Sequence, residues 1–315
     1  MARCFVTRRI PGAALDRLAA EHELELWEER LPPTREVLRE RAADAEGLLC
    51  MLTDPVDREL LEAAPGLRAI STYAVGTDNI DLDAASGRGI PVGHTPDVLT
   101  ETSADLTLAL MLAVMRRIPE GDASVRAGDW LTWEPALLLG HDLHRATVGI
   151  VGLGRIGRGV KRRVEGFGAR VLHAGRGDGV PLEQLLEEST VVTLHCPLTE
   201  QTRGLIDAAA LRRMRADAYL VNTARGPIVE TAALRQALEE GWIAGAALDV
   251  ADPEPLPADH PLLGAPNLVV VPHLGSASHE TREEMADIAV DNLLAGLRGD
   301  PMPHCANPRV YGSHR

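Results

Sequence analysis

The chain of 315 residues is too long for one hydrophobic core, and with 45% apolar but only 3% aromatic residues its cores must be built from Ala, Leu and Val. A formal charge of −14, with no basic block to offset it, excludes nucleic acid and anionic membrane as partners and leaves any small anionic ligand to local arginines. Four scattered cysteines, Cys4, Cys50, Cys196 and Cys305, lack CxxC spacing, so neither a zinc ribbon nor a disulfide framework is expected, and no metal.

In chain order, CFVT (4–7), LELW (24–27), GLLCML (47–52), RAIST (68–72) and IPVG (90–93) read as strands, with helical spacing over Thr34–Asp44 and Arg58–Ala64. Such alternation predicts a parallel sheet covered on both faces. A long helix is expected from about Glu101 to Met115 and onward toward Ala127, kinked or divided by Pro119. Asp129–Gly140 reads as a loop holding Trp130 and Trp133.

From Thr147 the alternation resumes, with strands over 147–152, 169–174, 191–196, 218–222, 245–250 and 268–272. Helices over 155–167, 182–188, 207–213 and 231–240 separate most of them, and a final amphipathic helix, Glu280–Leu297, leads into a Pro-containing tail. The expected fold class is α/β, with two Rossmann-like domains of doubly wound parallel sheet. MARCFVTRRI has no long apolar run, and no stretch reaches about eighteen apolar residues, so a cytoplasmic location is expected.

Gly152-Leu153-Gly154-Arg155-Ile156-Gly157 is GxGxxG between a buried-type strand and a helix, the context a dinucleotide pyrophosphate needs. The first glycine permits the turn, the second lets backbone approach the phosphates, and the third lets helix and strand pack closely. About twenty residues on, where a carboxylate would bind an unsubstituted ribose, the sequence has Gly175 followed by Arg176. A guanidinium pairs with a 2′-phosphate, which favours NADP(H). Asp178, turned toward a free 2′-hydroxyl, is the alternative and would mean NAD.

Three polar residues follow strand ends in this second region: Arg225 in NTARG, Glu254 in DVADPEP and His273 in VVVPHLGS. Reduction of a 2-keto acid needs a fixed positive charge for the carboxylate and growing alkoxide, which Arg225 offers. It also needs a proton donor, which suits His273, and a carboxylate favouring the protonated ring, which suits Glu254. Taken singly, each residue reads as a solvated loop or capping side chain; together, after a dinucleotide loop, they form a complete catalytic set.

The stretches STYAVGTDNIDL (71–82), GHTPDVLTETSADLTLALML (93–112), GDWLTW (128–133), TVGIVGLGRIGRGV (147–160), LHCPLTEQTRGLI (194–206), VNTARGPIV (221–229), GAALDVADPEPLP (245–257), PHLGSASHETR (272–282) and NLLAGLRGDPMP (292–303) resemble the D-2-hydroxyacid dehydrogenases, especially their glyoxylate/hydroxypyruvate reductase branch. The resemblance implies a cofactor domain, 98–283, inserted into a flavodoxin-like substrate domain of 1–97 and 284–315. It implies NADPH-dependent reduction of glyoxylate or hydroxypyruvate, with Arg225, Glu254 and His273 in the roles given above. Val75 and Gly76 would bind the substrate carboxylate through backbone amides, and Leu52 and Ser276 would line the pocket. Thr102, Cys196, Pro197, Thr202, Thr223, Ala224, Asp249 and Gly275 match cofactor-contacting positions, with Asp249 receiving the nicotinamide carboxamide or else capping the turn after its strand.

A homodimer is implied, with Trp133 reaching the partner's substrate pocket; packing of a dimer arm is its plainer role. The connection from Arg176 to the helix at Leu182 is shorter than the family's, which carries another short strand there. A D-lactate or phosphoglycerate dehydrogenase, or a dinucleotide-sensing corepressor-like binding protein on the same scaffold, are the competing readings.

Overall fold

The computed structural model describes residues 1–175, 177 and 179–312 and divides the chain into two compact units, Met1–Leu99 with Ala277–Arg315, and Thr100–Ser276. The first unit has strands β1 (Arg3–Val6), β2 (Glu23–Leu26), β3 (Gly47–Cys50), β4 (Ala69–Thr72) and β5 (Val92–Gly93), all parallel in the order β2-β1-β3-β4-β5. Helices α1 (Ala14–Glu21), α2 (Arg35–Ala43), α3 (Arg58–Ala63) and α4 (Leu82–Gly87) connect them. Both faces are covered, so the central strands GLLC and AIST are buried at every position. Thr34, Asp57 and Asp81 cap α2, α3 and α4 by accepting the N–H groups of Val37, Leu60 and Ala84, each worth about 1 kcal/mol.

The two-residue edge strand β5 is protected by the tail. Gly93 bridges Cys305 in antiparallel register, and Ala306 N–H donates to the Val92 carbonyl at 2.7 Å. The buried Asn307 side chain accepts the Val92 N–H at 2.8 Å and donates to the Ile90 carbonyl at 2.9 Å. An open sheet edge is thereby closed, a role the Pro-containing tail does not announce in sequence.

The second unit begins with α5 (Thr100–Met115) and α6 (Ile118–Ala127). The break between them lies at Arg117, which is left-handed at φ 51°, rather than at Pro119. Pro119 sits in the first turn of α6, where its missing N–H costs nothing. There follow β6 (Thr147–Val151), α7 (Arg155–Gly166), β7 (Arg170–Ala174), α8 (Leu182–Glu188), β8 (Val191–Leu194), α9 (Ala208–Arg213), β9 (Tyr219–Asn222), α10 (Thr231–Glu239), β10 (Gly245–Leu248) and β11 (Leu268–Val270). The sheet is parallel in the order β11-β10-β9-β8-β6-β7.

Side chains alternate across this sheet: Tyr219 and Val221 join Val148, Ile150 and Met111 on one face, and Leu220 joins Leu194, Leu248 and Leu234 on the other. Each fully buried Leu, Ile or Val contributes about 1.5–3 kcal/mol. Strand order reverses between β6 and β8, the switch point where open α/β sheets bind ligands. β7 is an edge strand, and no further strand intervenes before α8 among the described residues.

The last helix, α11 (His279–Arg298), packs on β3, β4 and α1 of the first unit. Ser278 caps it by accepting the Thr281 N–H, and left-handed Gly299 ends it. The expected boundary at 283/284 would cut this helix in its first turns; the unit boundary falls before it, at Ala277. No helix among the described residues is long and apolar enough to cross a membrane.

Candidate active site

The GxGxxG loop leaves β6 at the switch point. Gly152 has φ 95°, and a β-carbon there would lie 2.6 Å from the Cys196 nitrogen, so only glycine lets the loops after β6 and β8 approach. A β-carbon on Gly157 would lie 2.3 Å from the Gly152 carbonyl oxygen, whereas Gly154 faces open space. The first amides of α7 have no side-chain cap, and exposed Gly154 and Arg155 stand at that helix start beside half-buried Leu153 and Ile156. A helix start without a side-chain cap, at the positive end of the helix and beside the open space at Gly154, fits a pyrophosphate.

Gly175, at φ 146°, follows β7 next to Gly152, whose N–H donates to the Ala174 carbonyl at 2.8 Å. Arg176, and with it the proposed contact to a 2′-phosphate, lies outside the described residues, as does Asp178. After β8, half-buried Cys196 and exposed Pro197 begin a loop that the Thr202 hydroxyl ties together, donating to the Pro197 carbonyl at 2.7 Å and accepting the Thr199 N–H at 2.8 Å.

The catalytic candidates sit on the loops after three adjacent strands, β9, β10 and β11. At the end of β9, the buried Asn222 side chain accepts the Ala224 N–H at 3.0 Å and donates to the Arg225 carbonyl at 2.9 Å, bending NTARG into a fixed turn. Arg225 is half-buried, and its Nη1 donates to the Ala224 carbonyl at 2.8 Å. A β-carbon on Gly226 would lie 1.8 Å from the Ala251 carbonyl oxygen; glycine lets the arginine turn press against the loop carrying Glu254. From that loop Glu254 Oε1 meets His273 Nδ1 at 2.6 Å.

His273 itself is left-handed, at φ 54°, and Asp249 holds it there. The Asp249 carbonyl accepts the His273 N–H at 2.9 Å, while its carboxylate accepts the N–H groups of Leu274 at 2.5 Å and Gly275 at 2.9 Å. Asp249 is 2% exposed, and burial pushes its carboxyl upward. The capping role is thus filled, although each carboxylate oxygen keeps a second lone pair for a further donor. Ser103 on α5 closes the turn by donating to the Gly275 carbonyl at 3.0 Å.

Thr107 on α5 donates to the Ser103 carbonyl, leaving it to accept from Thr223 Oγ1 at 3.0 Å. Toward a ligand the Thr223 hydroxyl therefore accepts. Thr102 lies half-buried in the first turn of α5, buried Ala224 follows Thr223, and half-buried Ser276 ends the unit. Trp133 is 79% exposed in the loop after α6.

In the first unit, Leu52 follows β3, and Val75 and Gly76 follow β4, at the ligand-binding edge of the sheet. Buried Asp54, which sequence reasoning missed, frames the Leu52 loop by accepting the Thr7 hydroxyl at 2.5 Å and the Met51 N–H at 2.7 Å. Asn79 completes the frame, donating to the Met51 and Asp54 carbonyls. Burial pushes the Asp54 carboxyl upward.

Residues 108–275 match the family model described as the NAD binding domain of D-isomer specific 2-hydroxyacid dehydrogenases. A glyoxylate reductase from Korarchaeum cryptofilum is 50% identical over 320 residues, covering 98% of this chain and 96% of the relative. A crystal structure of a Thermus thermophilus protein superposes with a TM-score of 0.92 at 48% identity, covering 96% of this chain and 99% of that one. An NADPH-dependent glyoxylate/hydroxypyruvate reductase from Sinorhizobium meliloti, solved with NADP and malonate, gives a TM-score of 0.85 at 32% identity, covering 98% and 97%. The glycine loop, the paired Glu254 and His273 and these likenesses agree: the chain belongs to the D-isomer specific 2-hydroxyacid dehydrogenases, nicotinamide-dependent oxidoreductases, and within them to the glyoxylate reductase branch.

Proposed function

We propose that this protein reduces glyoxylate to glycolate and hydroxypyruvate to D-glycerate with NADPH. The observation that carries the reading is the 2.6 Å bond between Glu254 Oε1 and His273 Nδ1, on the same sheet edge as a glycine loop suited to a dinucleotide. A carboxylate only accepts, so Nδ1 donates in that bond and Nε2 is left to deliver its proton outward. The reduced nicotinamide supplies the hydride.

Arg225 binds the carboxylate and carbonyl oxygen of the 2-keto acid and stabilises the charge that grows on oxygen as the carbonyl carbon becomes tetrahedral. His273 passes the Nε2 proton to that oxygen, giving the 2-hydroxy acid, while Glu254 stabilises the imidazolium until transfer. In this reading the first unit binds substrate, with Leu52 lining the pocket and the Val75 and Gly76 amides on the carboxylate. The second unit binds cofactor, with Asp249 free to accept the nicotinamide carboxamide on its remaining lone pairs. NADPH is favoured by Gly175 standing where an NAD enzyme carries a carboxylate, by Arg176 beside it, and by the NADP in the Sinorhizobium relative. The working form is a homodimer joined through α6 and the exposed apolar loop after it, with Trp133 contributed across the interface.

The test is NADPH and NADH oxidation by purified protein against glyoxylate, hydroxypyruvate, pyruvate and 3-phosphohydroxypyruvate. Glyoxylate and hydroxypyruvate with NADPH are expected to give the highest kcat/KM. Preference for pyruvate or the phosphorylated acid overturns the substrate assignment. Cofactor binding without turnover of any of the four supports a dinucleotide-sensing binding protein instead.

A further inference from the structure

In a planar trans peptide the carbonyl and the following N–H point in opposite directions, so anchoring one aims the other. Both amides assigned above to the substrate carboxylate are anchored this way from the end of β5. The Ala74 carbonyl accepts the Thr95 N–H at 2.9 Å, which sets the Val75 amide. The Val75 carbonyl meets the imidazole Nδ1 of His94 at 3.0 Å, which sets the Gly76 amide. A carbonyl only accepts, so Nδ1 carries the hydrogen in this bond.

His94 is itself held by the tail and α11. Its N–H donates to the His304 carbonyl at 3.1 Å, and its carbonyl accepts Asn292 Nδ2 at 2.9 Å. Asn292, fully buried on α11, also accepts the His304 N–H on Oδ1 at 2.9 Å. Gly93 makes room for this amide, since a β-carbon there would lie 2.5 Å from Asn292 Cβ. A donor bound to the far side of a peptide also polarises it, strengthening the opposite N–H as a donor.

We propose that His94 is a positioning residue for substrate: its Nδ1–H, fixed by Asn292 and the C-terminal edge segment, aims the Gly76 N–H at the carboxylate of the 2-keto acid. This rests on the assignment of Val75 and Gly76 to that carboxylate. The test compares His94→Leu with His94→Asn, side chains of nearly equal shape of which only asparagine offers an N–H at the position of Nδ1. In the leucine variant KM for glyoxylate and hydroxypyruvate is expected to rise about tenfold, with kcat falling less than about threefold and KM for NADPH unchanged. The asparagine variant is expected to stay within about twofold of the native KM.

An equal rise in both variants means the ring acts by packing and overturns the proposal, as does a native KM in the leucine variant. His94→Ala replaces leucine if that variant does not fold. The parent assignment is tested separately by following the Val75 and Gly76 amide resonances of the native enzyme with NADP⁺ as glyoxylate is added. If neither moves, the carboxylate lies elsewhere and both ideas fall; if both move while His94→Leu keeps its KM, only the role of His94 falls.

Discussion

His273 adopts a left-handed backbone that costs a residue with a β-carbon about 1–2 kcal/mol, and the three N–H bonds that Asp249 collects from residues 273–275 keep it there. The strain aims the ring at Glu254, where Nδ1 is consumed and Nε2 is presented. Removing the imidazole should leave the Asp249 turn standing, because its bonds are to backbone. His273→Ala is therefore expected to lower kcat by about 10²–10⁴-fold with little change in NADPH affinity. Fluorescence titration of the cofactor checks this, and a matching loss of binding would make His273 structural. Arg176 belongs to the same scale: Arg176→Ala should raise KM for NADPH far more than for NADH, since only the former carries the 2′-phosphate. An equal rise for both removes the phosphate-clamp assignment.

At the scale of elements, β8 delivers the loop that faces the glycines, and the residue just after it is a histidine outside the catalytic set. The half-buried His195 donates its backbone N–H to the Val151 carbonyl at 2.7 Å, and its Nε2 lies 2.9 Å from Thr193 Oγ1. Burial pushes this imidazole down to about 3. The folded protein thus keeps the ring neutral while the unfolded chain takes up a proton below about pH 6.5, so unfolding binds protons and stability is lost as pH falls from there toward 3. The loss approaches about 1.4 kcal/mol per pH unit for this one group. Denaturant midpoints between pH 6.5 and 4 should fall less steeply in His195→Gln than in the native protein, and parallel slopes would refute the assignment. Sequence legibility divides along the same line. Periodicity marks both sheets because covered parallel strands are nearly all apolar, and glycine spacing marks the phosphate loop because its chemistry is local. The tail closing β5 and the Asn292 and Asp54 clasps are set by contacts across long separations, for which sequence offers at most a strand-end polar residue, whereas the break at Arg117 is a single left-handed residue that no periodicity marks. Arg225, Glu254 and His273 stand on the loops after β9, β10 and β11, and the apolar runs of those strands mark in the sequence where such loops begin.

For the whole molecule, the telling feature is where apolar surface has not been buried. α6 has no buried residue, and the loop after it exposes Leu131 at 89%, Trp133 at 79% and Trp130 at 61%. Large apolar side chains exposed together in one short loop mark an association surface. A second copy is the partner the family resemblance implies, and a stable dimer needs about 1,200–2,000 Å² of total buried area, to which both α6 and its loop would contribute. Leu131→Asp tests this cleanly, because so exposed a side chain has no intrachain core contact to lose. The native protein should sediment at twice the chain mass with a concentration-dependent Tm, and Leu131→Asp together with Leu139→Asp should shift it toward single chains. If Trp133 enters the partner's substrate pocket, Trp133→Ala should raise KM for glyoxylate and admit bulkier 2-keto acids while leaving the mass unchanged. A single-chain mass for the native protein would instead leave Trp133 with no part in the neighbouring pocket, and pocket size would then have to be set by residues of the same chain.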